Sequence, residues 1–274
     1  MAGVLYVVGT PIGNLSDFSP RAVETLQNCD FIAAEDTRVT QKLLNRFEIH
    51  KPMTSYFEHN RRERGEQILA RLLGGESCAL VTDAGMPAIS DPGEDLVNLC
   101  HEHGVQVCAV PGPTAFATAL AVAGLPTGRF TFEGFLSTNK PSRRKHLESL
   151  LSEERTMVFY EEPHKLLATL EDMYAAFGDR KIALVRELTK IHETIERTTL
   201  SAACEKYKET PPKGEFVLVV SGAEPLPDAK WTLDEAVAFA KKQVEKGVSK
   251  NEAAKIAAKE SGIKKSDIYK ALTQ

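Results

Sequence analysis

The chain has 274 residues, 42% hydrophobic and 26% charged, with a net charge of −4. This composition suits a globular protein with room for about two domains, and it excludes a low-complexity or disordered chain. The five cysteines (Cys29, Cys78, Cys100, Cys108 and Cys204) have no CxxC spacing; that argues against a disulfide framework or thiolate zinc site and favours reduced, buried thiols.

Met1-Ala2-Gly3-Val4 leads straight into a strand, without the charged and apolar regions of a signal peptide. No run reaches the roughly 20 apolar residues of a membrane span. A soluble, cytoplasmic protein is expected. From residue 3 to about 110 short apolar runs alternate with helical spacing. Strands are expected at 4–8, 30–34, 53–57, 78–82 and 105–110, and helices at 20–28, 38–47, 60–73 and 93–103. Asn60 is placed to cap the helix that carries Ile68, Leu69, Leu72 and Leu73 on one face. Strands alternating with helices predict a mainly parallel sheet covered on both faces, with ligands beyond the carboxyl ends of its strands.

A second α/β set follows a boundary near Gly124-Leu125-Pro126. Its strands are expected at 130–135, 156–160, 181–186, 192–198 and 215–220, and its helices at 142–151, 164–177 and 200–208. Pro163 is expected in a first helical turn. The 192–198 and 215–220 segments suggest antiparallel pairing rather than another βαβ unit. The expected domains are thus 1–123, 124–224 and, after a linker at Pro225 and Pro227, a helical domain over 228–274.

That last segment is basic. It carries ten Lys against seven Asp or Glu, a balance of +3, while the remainder carries 24 Lys or Arg against 31 acids, a balance of −7. Thr232-Leu233-Asp234-Glu235 and Ser249-Lys250-Asn251-Glu252 both fit a capping box, with Val248 and Ala253 as a hydrophobic staple. Gly262 is spaced to end the second helix, and 266–272 predicts a third. Ala258, Gly262 and Ile268 fit a helix-turn-helix, with Lys264, Lys265 and Lys270 along its last helix. A basic tail on an acidic body suits a polyanionic partner; a dimer-packing or structural appendage is the alternative.

Three loops at strand ends carry the strongest signal: Gly9-Thr10-Pro11-Ile12-Gly13-Asn14, Asp83-Ala84-Gly85-Met86-Pro87-Ala88-Ile89-Ser90-Asp91-Pro92 and Pro111-Gly112-Pro113-Thr114. None contains Lys or Arg, which excludes a phosphate cradle and favours a ligand that is neutral or cationic near its reacting atom. Asp83 is expected to face that ligand, while Asp91 suits the N-cap of the next helix. Glu35-Asp36-Thr37-Arg38 closes one strand and opens a helix. Asp36 or Thr37 can be its N-cap, or the group can position substrate and move protons. Glu187 and Lys190 are weaker strand-end candidates. The clusters Arg61, Arg62, Arg64 and Arg143, Arg144, Lys145 sit at helix starts, against the macrodipole, and suit phosphate contact or a solvated surface. The histidines show no metal-binding spacing, so no intrinsic metal is indicated.

These strings (Val7-Val8-Gly9-Thr10-Pro11-Ile12-Gly13-Asn14-Leu15, Glu35-Asp36-Thr37-Arg38, Val81 through Gly93, and Val110-Pro111-Gly112-Pro113-Thr114-Ala115) resemble the tetrapyrrole methylase superfamily. The resemblance spans the whole chain. It implies two α/β domains with S-adenosyl-L-methionine in the cleft between them, plus a small C-terminal helical domain. With Glu-Asp-Thr-Arg and the basic tail, it is nearer the branch of bacterial small-subunit ribosomal RNA 2′-O-methyltransferases that modify a decoding-region cytidine. It implies cofactor contacts at Pro11, Asp83, Ala84, Gly85, Met86, Ser90, Thr114, Ala115, Tyr160, Leu188 and Gly214. The expected catalytic group is Glu35, Asp36 or both, as a base or a charged hydrogen-bond partner of the hydroxyl, with Arg38 orienting a carboxylate or phosphate. Expected partners are 16S rRNA in the small ribosomal subunit and a second copy of the chain, without a membrane. RNA contact would fall to Arg61, Arg62, Arg64, Arg143, Arg144, Lys145, Lys264 and Lys265. Two alternatives stand beside this reading: a C-methyltransferase acting on a porphyrin-like intermediate, and a ligand-sensing DNA-binding regulator.

Overall fold

The computed structural model describes residues 2–224 and 231–273; the linker at Pro225 and Pro227, and residues 228–230 of the expected tail domain, lie outside them. The chain divides into two compact units, Met1–Gly222 and Ala223–Gln274.

The first unit holds two five-stranded sheets. Sheet one contains β1 (Val4–Val8), β2 (Phe31–Ala34), β3 (Met53–Ser55), β4 (Cys78–Val81) and β5 (Gln106–Val110), all parallel, in the order β3-β2-β4-β1-β5. β2 and β4 are buried at every position, as central strands covered on both faces must be. Helices α1 (Pro20–Asn28), α2 (Thr37–Arg46), α3 (Arg61–Leu73) and α4 (Glu94–Glu102) connect the strands. Their apolar faces complete one core around Leu26, Ile32 and Leu44 and another around Phe31, Ile68 and Leu96. Each such side chain contributes about 1.5–3 kcal/mol on burial.

β5 departs from expectation: only Val110 of the strand is fully buried, because β5 is the sheet's edge. Cys108 is accordingly half-buried, while the other four cysteines are buried, all five as free thiols. A further helix, α5 (Ala115–Val122), was not anticipated. Its sequence AFATALAV is apolar on all sides, so no amphipathic stripe marks it.

Sheet two contains β6 (Phe130–Phe135), β7 (Thr156–Glu161), β8 (Lys181–Arg186), β9 (Thr194–Thr199) and β10 (Phe216–Val220), in the order β6-β7-β10-β8-β9. Only β6 and β7 run parallel. The expected antiparallel pairing of β9 with β10 does not form: each is antiparallel to β8, which lies between them, so the two run in the same direction. The apolar β10, buried throughout, takes a central place, and the polar Thr-Ile-Glu-Arg-Thr-Thr strand takes the edge. Helices α6 (Lys140–Ser149), α7 (Leu166–Phe177) and α8 (Leu200–Glu209) pack against one face, while Ala119 and Leu120 of α5 pack against the other. Pro163 lies in a turn ahead of α7 rather than in its first turn.

Among its described residues the second unit has three helices, α9 (Leu233–Glu245), α10 (Lys250–Ser261) and α11 (Lys265–Thr273), around Ala236, Ala240, Ala253, Ala257 and Ile268. Thr232 and Glu235 form a complete capping box. At Ser249 only half of one forms: its hydroxyl accepts from Glu252 N, while the Glu252 carboxylate bonds Lys255 Nζ. Gly262 ends α10 at φ 75°, in the left-handed region that glycine enters without cost. Lys264, Lys265 and Lys270 are exposed while Ile268 is buried.

Candidate functional site

Strand order builds the site. β4 is inserted between β1 and β2, so the loops after β1, β2 and β4 converge at the carboxyl edge of sheet one. The β1 and β4 loops are stitched together by two backbone bonds, Thr10 N to Gly85 O at 2.9 Å and Gly85 N to Thr10 O at 3.2 Å. The Thr10 hydroxyl adds a bond to Thr82 O at 3.1 Å. The β1 and β5 loops touch through glycines: a Cβ on Gly9 would lie 2.6 Å from Gly112 Cα. No side chain fits at either glycine without moving backbone.

Above these loops lies a cleft of about 310 Å³ between the two sheets of the first unit. Its acidic side begins with Glu35, whose Oε2 accepts from Thr82 Oγ1 at 2.5 Å and from Asp83 N at 3.4 Å. Asp83 Oδ1 in turn accepts from Asp36 N at 3.2 Å. Burial, then the nearby Glu35 carboxylate, pushes the Asp83 carboxyl above its ordinary value. Asp91 is also raised, first by burial, with Glu35 and Asp83 adding repulsion against a bond from Thr82. Glu161, 4% exposed, also lines the cleft, with its Oε2 bonded by Thr169 and its Oε1 by Glu162 N.

Among the described residues the one cation lining this cleft is Lys190, and it is already paired: its Nζ lies 2.9 Å from both Glu187 Oε1 and Glu215 Oε2. Burial pulls its pKa down, but these two bonds outweigh burial and hold it above the ordinary value. The opposite side is apolar. Phe116, Phe135, Tyr160, Leu188 and Val217 line it, and Tyr160 Oη accepts from Phe116 N at 3.1 Å.

The structure brings together Asp83, Ala84, Gly85, Met86, Ser90, Thr114, Ala115, Tyr160 and Leu188, together with Glu35. Pro11 and Gly214 are not among the lining residues; their neighbours Ile12 and Glu215 are. Gly214 has a structural reason to be glycine. It sits at φ 80°, and a Cβ there would lie 2.5 Å from Glu187 Cγ.

Asp36 and Arg38 also fall outside the lining. Asp36 is the N-cap of α2, bonded by Arg38 N at 2.8 Å, and its carboxylate pairs with the exposed Arg38 guanidinium at 2.6 Å. That partner holds the Asp36 carboxyl down at about 2. Asp91, expected as a helix cap, is not one: Gly93 occupies the α4 N-cap position, leaving Asp91 in the cleft. Glu161, on β7, and Phe116, on the unmarked α5, join the lining without any motif to signal them.

Arg143 is spent inside the fold. Its Nε and Nη2 bond Asp172 Oδ2 at 2.8 and 2.7 Å, and its side chain is 12% exposed. Arg144 shares Asp172 but stays exposed, as do Arg62 and Lys145. Among the described residues, no group of three or more His, Cys, Asp or Glu is arranged to hold a metal ion.

The cleft's chemistry fits S-adenosyl-L-methionine. Its carboxylates suit a sulfonium and an ammonium, Lys190, the cation among the described lining residues, is already paired, and the apolar side suits a planar base. A family model described as Tetrapyrrole (Corrin/Porphyrin) Methylases matches residues 4–204. Proteins named ribosomal RNA small subunit methyltransferase I are similar over nearly the whole chain. The Synechocystis relative is 47% identical, covering 97% of this chain and 96% of its own. The Escherichia coli O157:H7 relative is 46% identical, covering 98% and 94%. A Thermotoga maritima relative of the same name is 47% identical over 222 residues, 81% of this chain but 100% of its own. Among solved structures, a cobalt precorrin-4 methyltransferase superposes with TM-score 0.59 at 20% identity, covering 79% of this chain and 94% of its own. The chain belongs to the tetrapyrrole methylase family, whose methyl donor is S-adenosyl-L-methionine.

Proposed function

We propose that this protein transfers a methyl group to the ribose 2′-hydroxyl of a cytidine in the decoding region of 16S rRNA, within the small ribosomal subunit. One observation carries the reading. Relatives named for small-subunit ribosomal RNA methylation match at 41–47% identity, in most cases across nearly the whole chain. The porphyrin and corrin enzymes share only the fold, at 18–20% identity over 79% of the chain.

When bound, S-adenosyl-L-methionine supplies an electrophilic methyl group on a positively charged sulfur. The residues proposed to hold it are Asp83 through Met86, Ser90, Thr114, Ala115, Tyr160 and Leu188, with Pro11 and Gly214 acting through the loops they belong to. Their task is placement, and alignment of reacting atoms can supply about 7–11 kcal/mol of the barrier. A ribose hydroxyl is a poor nucleophile and needs a proton acceptor. Glu35 takes that role in this reading, oriented by the Thr82 hydroxyl. Asp36 lies outside the cleft lining, occupied as the α2 N-cap and by Arg38; its contribution is the backbone N–H that fixes Asp83.

RNA contact falls to the exposed Arg62, Arg144, Lys145, Lys264 and Lys265, and to Arg64 in the first turn of α3, while the expected Arg61 is engaged by Glu58 and Asp95. The protein is proposed to work in the cytoplasm as a homodimer, and among the described residues no helix is long and apolar enough to cross a membrane. The test is transfer from labelled cofactor to purified 16S rRNA and small subunits, followed by mapping of the modified nucleotide. A 2′-O-methyl group makes the adjacent phosphodiester resistant to alkali. Label that stays in alkali-sensitive positions, or in no RNA, defeats the reading.

A further inference from the structure

A second cleft, of about 770 Å³, adjoins the first and shares Glu35, Ile89, Ser90 and Asp91 with it. Its own lining includes Phe57, His59 and Arg61. Phe57 is a large aromatic left 37% exposed, yet its loop is pinned. Asn60 Oδ1 accepts from Phe57 N at 2.9 Å, and Asn60 Nδ2 donates to Ser55 O at 3.2 Å. Asn60 was expected to cap α3 but makes no side-chain cap bond; its side chain fixes the Phe57 loop instead. The His59 ring stands edge-on to Phe57, with centroids 6.3 Å apart and planes at 87°.

The charges in this cleft narrow what it can take. Glu35, Glu58, Asp91, Glu94 and Asp95 line it, against Arg61. Arg61 is engaged with Glu58 at 3.3 Å and Asp95 at 3.7 Å. Phosphate is repelled by such a lining. A flat ring with an exocyclic amine is not: it can stack on the aromatic face and donate to a carboxylate, as cytosine N4 does. Geometry supplies the link to the reaction. A nucleoside whose 2′-hydroxyl lies at the shared residues Glu35, Ser90 and Asp91 has the second cleft within reach of its base.

We propose that this second cleft holds the base of the acceptor nucleotide, a cytosine unstacked from its strand, with Phe57 as the stacking surface. The proposal rests on the RNA 2′-O-methylation reading, and deepens it by naming where specificity for the base resides. Unstacked bases held against aromatic rings are the usual means of single-strand RNA recognition.

The test pairs kinetics with direct binding. With the small-subunit RNA as substrate, Phe57→Ala should raise KM about tenfold, the scale of one lost base stack. Its cofactor affinity, measured by calorimetry, should stay within about twofold of wild type, and Phe57→Trp should restore KM. An unchanged KM, or an equal loss of cofactor affinity, overturns the assignment. In the second arm, fluorescent oligocytidylate and oligouridylate are titrated onto the full-length, cofactor-loaded protein. Tighter binding of oligocytidylate, weakened by Phe57→Ala, supports the cleft assignment. Equal binding of the two, or no loss in the variant, overturns it. If wild-type protein labels no ribosomal RNA, the functional reading fails by itself, and the oligonucleotide arm alone decides the cleft.

Discussion

Thr82, the residue after β4, donates its hydroxyl to Glu35, the residue after β2, at 2.5 Å. The two are 47 positions apart and meet because β2 and β4 are neighbours, pairing from Phe31 with Cys78 to Ala34 with Val81. Thr82 is 2% exposed, so the bond is made on the dry side of the cleft, where hydrogen bonds to charged groups are worth about 1.5–3 kcal/mol. Thr82→Val keeps the shape and removes the donor. It should lower kcat by about 10- to 100-fold with little change in KM for the cofactor, and Thr82→Ser should recover most of the loss. Steady-state kinetics on the three proteins checks this.

The raised carboxyls of Asp83 and Asp91 predict a cleft that costs stability at neutral pH. A carboxyl whose pKa is higher in the folded state holds its proton more tightly there than in the unfolded chain. Its favourable contribution is complete below the ordinary value of 3.8 and is lost as pH rises through the raised folded value. Asp83→Asn should therefore raise Tm at pH 7 relative to wild type, and the difference should vanish towards pH 3.8. It should also weaken cofactor binding, since Asp83 is one of the cleft carboxylates proposed to hold the cofactor. Melting curves across pH, with calorimetry at pH 7, measure both effects.

Arg143 and Arg144 are adjacent but should behave differently. Removing the 12%-exposed Arg143 leaves Asp172, itself 8% exposed, without its two-toothed partner. Breaking such a buried pair costs about 3–5 kcal/mol. Arg143→Ala should therefore lower Tm by roughly 10 °C and leave RNA affinity per folded molecule unchanged. Arg144→Ala, at a side chain 57% exposed, should alter Tm little and weaken RNA binding, more so at low salt. Thermal melting and filter binding at two salt concentrations separate the pair.

The helical unit after Ala223 should be an accessory to catalysis. The Thermotoga relative is fully matched by 81% of this chain, so the name it carries does not require all that this chain has. A protein ending at residue 224 should keep wild-type cofactor affinity and a kcat within about threefold, while its KM for RNA rises about tenfold, because it lacks Lys264 and Lys265, which are proposed to meet phosphates. Kinetics on the truncated protein, with the salt dependence of binding, checks the prediction.

Much of this was legible beforehand because the chemistry is local. The ten strands of the described residues lie at or beside their expected ranges, most of them apolar runs although β9 is polar, and the capping box at Thr232 and the glycine at 262 were written in short-range spacing. What escaped depends on neighbours that spacing cannot name. Residue type said that Arg143 was charged, but only the fold says that Asp172 lies beneath it. Asn60 has the chemistry of a cap, and its bonds to Ser55 and Phe57 win. The α5 helix lacked periodicity because it is apolar all round, flanked by the loop against the cleft and the second sheet. Of the expected catalytic group, Glu35 reaches the cleft while Asp36 and Arg38 turn to each other. One residue along a helix start is enough to turn a side chain away from a cleft.

The central claim is that the cleft between the two sheets serves a ribose hydroxyl of small-subunit RNA, with Glu35 accepting its proton. The most direct measurement is transfer of labelled methyl from S-adenosyl-L-methionine to small ribosomal subunits by wild type and Glu35→Gln, with cofactor affinity measured on both. Wild type should place one alkali-stable 2′-O-methyl on a cytidine. Glu35→Gln should bind cofactor with wild-type affinity while losing roughly 100-fold or more in kcat, the scale of a positioned base. Undiminished turnover by Glu35→Gln, or a methyl group found on a base carbon or nitrogen, would contradict the account.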